Sequence, residues 1–76
     1  MPHVEIWHFP AELSDEAARR LDAEITTAIT RAFEVDKGVV SIGLESVPVD
    51  RWNEQVYRPR IRERTDAAPL LRRPDY

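Results

Sequence analysis

The feature that most constrains this chain is a long apolar stripe at helical spacing. Between residues 15 and 34 the apolar side chains recur at Ala17/Ala18, Leu21, Ile25, Ala28/Ile29 and Ala32/Phe33, while Arg19, Asp22, Thr26 and Thr30 fall on the opposite face. Steps of three and four residues are the period of an α-helix with one face against a core. Ser14 is a good N-cap, and Asp15 and Glu16 complement the helix dipole in the first turn. The pattern predicts a helix over residues 15–34, about 30 Å long. Val35-Asp36-Lys37-Gly38 stops it, with Gly38 as the turn residue.

The segments on either side change period. In the first nine residues Val4 and Ile6 alternate with His3, Glu5 and Trp7, and in 39–47 Val40, Ile42 and Leu44 alternate with Ser41, Gly43 and Glu45. Alternation by two is the signature of strands. Gly43 within a strand leaves room for a group to approach the backbone. Strand, long helix, strand is a βαβ unit, an α/β fold with two parallel strands and a right-handed crossover.

Such a unit is small. Seventy-six residues make one domain, spanning 1–76. A core of that size needs supplementing by disulfides, a metal or a partner chain. There is no cysteine, and two histidines without a thiol make a poor zinc site. A two-stranded sheet also leaves strand edges open for a second copy. The expectation is a homodimer with a four-stranded sheet and two helices on one face. No apolar run approaches the ~20 residues of a membrane span. No signal-peptide pattern opens the chain, so the protein reads as cytoplasmic. With a pI near 5.3 it is no candidate for nucleic acid. Residues 1–50 hold four basic against ten acidic side chains, a net of −6, whereas 51–76 hold seven arginines against four acids, a net of +3.

After Pro48, Asp50 reads as the N-cap of a short helix from Arg51 to Tyr57, and Pro59 as the start of a second one reaching Thr65. The second carries Arg58, Arg60, Arg62 and Arg64 around Ile61. Ala67, Ala68 and Pro69 break it before the tail 70–76. His3 and His8 are five apart on a strand, face opposite sides and cannot form a metal pair. No Ser/His/Asp set, cysteine nucleophile or phosphate loop is evident, and Glu5 and Glu45 read as surface charges.

Pro2 directly follows Met1. Removal of Met1 would expose a secondary amine at the end of a strand. An α-amino group titrates near ~7.7–8.0, and proline's is intrinsically more basic. An apolar pocket would lower it toward working pH by disfavouring the charged form. A neutral amine near its pKa can take up a proton and return it.

Met1-Pro2-His3-Val4-Glu5-Ile6, the connector Phe9-Pro10-Ala11-Glu12-Leu13, Ser41-Ile42-Gly43-Leu44, Trp52 and the ending Leu70-Leu71-Arg72-Arg73-Pro74-Asp75-Tyr76 together resemble the 4-oxalocrotonate tautomerase family. Within it, the chain is most similar to small dimeric bacterial tautomerases of phenylpyruvate type. The resemblance covers nearly the whole chain, least well at 58–68. It implies that Pro2 is the general acid–base catalyst for keto–enol interconversion of a 2-oxo acid, without cofactor or metal. It also implies that Trp52 lines the pocket and could pack on an aryl substrate, with packing alone as the other role. His3 beside Pro2 either tunes it or packs.

The hexameric members hold a carboxylate with one arginine in the connector and another in the second strand. Here those positions look like Ala11 or Glu12, and Ser41. A replacement guanidinium could come from Arg58, Arg60 or Arg62, across a dimer interface if need be. Superfamily dehalogenases and decarboxylases use the same proline with added Arg and Glu groups, and no such set is assignable here. A small dimeric interaction module with an incidental Pro2 is the alternative outside enzymes.

Overall fold

The computed structural model describes residues 1–76. Strand β1 (His3–His8) leads through the Phe9–Leu13 connector into helix α1 (Asp15–Phe33), and the chain returns as strand β2 (Ser41–Ser46), parallel to β1. The βαβ unit expected from the change of period is therefore present. Backbone bonds at both ends, Ser41 N–H to the Pro2 carbonyl (3.2 Å) and Val47 N–H to the His8 carbonyl (2.8 Å), extend the ladder beyond the strands. The register pairs His3 with Ser41, Glu5 with Gly43 and Trp7 with Glu45. It also sets Val4 beside Ile42 and Ile6 beside Leu44.

The start of α1 follows local chemistry. The Ser14 hydroxyl accepts a 3.0 Å bond from Ala17 N–H, satisfying one of the donors a helix leaves free at its first turn. Its end falls within a residue of the expected boundary, at Phe33. The left-handed residue is Glu34 (φ 55°, ψ 51°), whose N–H caps the Thr30 carbonyl. Gly38 lies downstream in a 3₁₀ turn, Lys37–Val39, and no glycine has positive φ. Backbone capping by Glu34 thus ends the helix at a residue with no special freedom for that conformation.

The segment after β2 also departs from expectation. A 3₁₀ turn at Val49–Arg51 runs into one continuous π-helix, Asn53–Arg62, with Pro59 inside it. Two short helices separated before Pro59 are not formed. An α-helix would drive the Pro59 ring into the carbonyl four residues back. Winding to a five-residue repeat, seen in the bond from Glu63 N–H to Arg58 carbonyl (3.0 Å), avoids that clash. The helix ends at Arg62, short of Thr65. Arg64 secures the exit by donating to the Ala68 carbonyl (2.6 Å) and the Arg60 carbonyl (3.2 Å).

The core is minimal. Only Val47 and Val56 are buried, at 1% and 4% exposure. The stripe of α1 is at best half-buried, and Phe33 is 62% exposed. The single chain exposes 6533 Å², against about 4,800 Å² for a compact monomer of 8.8 kDa. Its radius of gyration is 14.1 Å, against about 11 Å for a compact domain of this length. No helix is long and apolar enough to cross a membrane.

Candidate active site

Two sites form at opposite ends of β1. At the start of the strand, Pro2 lines an open cleft of about 530 Å³ with Val4, Ile29, Phe33, Val35 and Leu71, flanked by Met1 and His3. The cleft exists because the α1 stripe and the inner face of the sheet do not close on each other here. Its walls are mainly apolar, an environment that favours an uncharged amine over a charged one. Met1 is present and fully exposed. With Met1 attached, the Pro2 nitrogen is an amide and has no basicity.

The outer face of the strand carries a hydrogen-bonded row that alternation alone did not reveal. His3 Nε2 lies 2.8 Å from Glu5 Oε1, and His3 Nδ1 lies 2.7 Å from Ser41 Oγ. The carboxylate only accepts, so Nε2 carries a hydrogen; in the neutral ring Nδ1 then accepts from the Ser41 hydroxyl. Gly43 makes the row possible. A Cβ there would meet Glu5 Oε1 at 2.6 Å, so the approach foreseen for Gly43 is made by the Glu5 side chain. His3 and Glu5 are substantially exposed, and such a pair contributes little stability. Its effect is orientation: Ser41 grips His3 through its side chain and the Pro2 carbonyl through its N–H.

At the far end of β1 lies a second cleft, of about 470 Å³, walled by Phe9, Trp52 and Tyr76. Phe9 and Trp52 meet edge to face, with centroids 5.0 Å apart and planes at 83°. Trp52 Nε1–H donates to the Tyr76 hydroxyl (3.2 Å), and the Tyr76 ring lies 5.6 Å from that of Tyr57. Four of the six aromatic residues of the chain therefore gather here. The sequence singled out Trp52, but not Phe9 or Tyr76 as its companions. Exposed aromatic residues with turn signals around them gave no hint of convergence across 24 and 43 positions.

Within one chain Trp52 does not line the Pro2 cleft. Neither do the arginines considered as carboxylate holders. Arg60 stacks its guanidinium over Trp7, 5.1 Å from the ring centroid, while Arg58 and Arg62 are exposed and outside both ion pairs. His8 donates from Nδ1 to the Phe9 carbonyl (2.7 Å) and turns away from the His3 row. No three His, Asp or Glu side chains converge as metal ligands would.

No protein-family model matches the chain. Individual relatives do. The tautomerase PptA of Enterobacter sp. (strain 638) is 37% identical over 76 residues, covering all of this chain and 97% of its own. Tautomerase PptA of Klebsiella pneumoniae (strain 342) is also 37% identical with the same coverage, and that of Pectobacterium carotovorum (strain PC1) is 29% identical. The match runs end to end along this chain. The chain belongs to the PptA-like tautomerase family and is an isomerase.

Proposed function

We propose that the protein is a keto–enol tautomerase of aryl 2-oxo acids of the phenylpyruvate type, working as a homodimer with Pro2 as general acid–base catalyst. The observation that carries this reading is Pro2 itself, at the end of β1 in a mainly apolar cleft, its carbonyl held by Ser41 N–H. Removal of Met1 turns its nitrogen into a secondary amine in surroundings that disfavour its charged form. The amine takes the proton from the enol hydroxyl as the C–O bond becomes C=O. It then delivers a proton to the adjacent carbon as the C=C bond becomes single, so the reaction needs no co-reactant.

The dimer rests on the surface the single chain leaves open, an excess of roughly 1,700 Å² over a compact monomer. Two sheets that pair like edges with both helices on one face are related by a two-fold axis normal to the sheet, so their edge strands run antiparallel. Pairing through β1 brings the Pro2 end of one strand beside the Phe9 end of its partner. That arrangement joins the catalytic cleft of one chain to the aromatic cleft of the other. Arg58 and Arg60, together with His3 and Ser41, are the groups available to receive the substrate carboxylate and oxo group.

The test is ultraviolet-monitored ketonisation of phenylenolpyruvate by Met1-free protein, with Pro2→Ala alongside. A rate above buffer that falls by about 10²–10⁴-fold in the variant supports the assignment; equal rates would refute it. Dilution tests the dimer: activity per chain should drop with sedimentation from two chains to one. Activity unchanged in the monomer rules out a shared site.

A further inference from the structure

The aromatic cleft has a property that its residue types alone do not confer. Trp52 has one polar group, its indole N–H, and Tyr76 occupies it through the 3.2 Å bond to its hydroxyl. The remaining indole surface offered to the cleft is apolar, and the lining consists of Phe9, Trp52 and Tyr76 alone. The Phe9–Trp52 pair is near-perpendicular, and a third ring entering the cleft can meet these rings in the offset or edge-to-face contacts that aromatic pairs prefer. At about 470 Å³ the space is of small-molecule size. No charged side chain lines it, so an anionic ligand can place only its ring there.

We propose that Tyr76 is a specificity-determining residue: with Phe9 and Trp52 it forms a receptor for the aromatic ring of the substrate, and its hydroxyl holds the Trp52 indole in place. The proposal rests on the tautomerase reading above and adds how the protein tells aryl from alkyl 2-oxo acids. Ring and carboxylate are read by separate parts of the site. Tyr76 does not touch the reacting atoms, and it acts through binding.

The experiment compares kcat and KM for phenylenolpyruvate and for the enol of an alkyl 2-oxo acid in the Met1-free protein, Tyr76→Phe and Tyr76→Ala. In Tyr76→Ala, kcat/KM for the aryl enol should fall at least ~10-fold, mostly through KM, as for loss of a wall of an apolar pocket. The alkyl enol should change less than about twofold. Tyr76→Phe keeps the ring, releases the indole N–H and should fall between. Calorimetric titration with 3-phenylpropionate, an inert aryl acid, reads the receptor without catalysis and should weaken in the same order. An equal loss for both substrates, or unchanged aryl binding, overturns the proposal. So does a shift of oligomeric state in Tyr76→Ala that accounts for the loss, which would make the cleft a contact between copies. If Pro2→Ala leaves turnover intact, the catalytic reading fails while the titration still decides Tyr76.

Discussion

The two ends of strand β1 are built on opposite principles. At its start, Pro2, His3, Glu5 and Ser41 are close in sequence or paired across the sheet; side-chain hydrogen bonds of 2.7–2.8 Å orient His3, Glu5 and Ser41, and a 3.2 Å bond from Ser41 N–H holds the Pro2 carbonyl. At its end, Phe9, Trp52 and Tyr76 come from three distant segments and are held by ring packing and one indole–phenol bond. The first end offers directed polar groups beside an apolar cleft, as proton transfer requires. The second offers apolar area without charge, as recognition of a ring requires. The proposed roles put chemistry at one end and selectivity at the other, and substitutions at either end can break that division.

The largest effect is expected from Pro2→Ala. It should remove the acid–base group, lowering kcat by about 10²–10⁴-fold, and leave 3-phenylpropionate binding as in the parent. Joint loss of binding and turnover would dissolve the division between the ends. Next in size is Trp52→Ala, which deletes the central wall of the aromatic cleft. The aryl enol should lose about 10–200-fold in kcat/KM through KM, with a smaller loss for an alkyl enol. A fall in kcat alone would place Trp52 with the chemistry instead. The smallest effect is expected from Gly43→Ala. The new Cβ displaces the flexible end of Glu5, so the melting temperature should change by only a few degrees. The His3 ring resonances should move as the Glu5 bond is lost, while aryl selectivity stays constant. An unmoved His3 spectrum would show that the row does not depend on Gly43.

Much of the fold was legible because it rests on local rules. The α1 stripe, the Ser14 cap and the two alternating runs each follow from spacing and side-chain type, and the structure places them within a residue or two. The miss at Pro59 has the same origin: local rules assign a proline to a helix start, and only the continuous winding from Asn53 to Arg62 shows a wider helix carrying it. The Glu34 cap was invisible because a backbone bond, not a residue preference, ends the helix. Of the candidate site, Pro2, His3, Ser41 and Trp52 were visible as residue types. The partnership of His3 with Ser41 needed the register, and that of Trp52 with Tyr76 needed the path of the tail.

The βαβ order, the strand faces and the presence of a proline that could become an amine at a strand end follow from the order of residues, since these depend on neighbours within a few positions. Which residues meet depends on how the chain folds back on itself. A parallel register brings position 3 to position 41 and position 5 to position 43, and packing after β2 brings position 76 to position 52. Periodicity reports the face on which a side chain lies, but not which distant side chain lies opposite, because that depends on register and chain path.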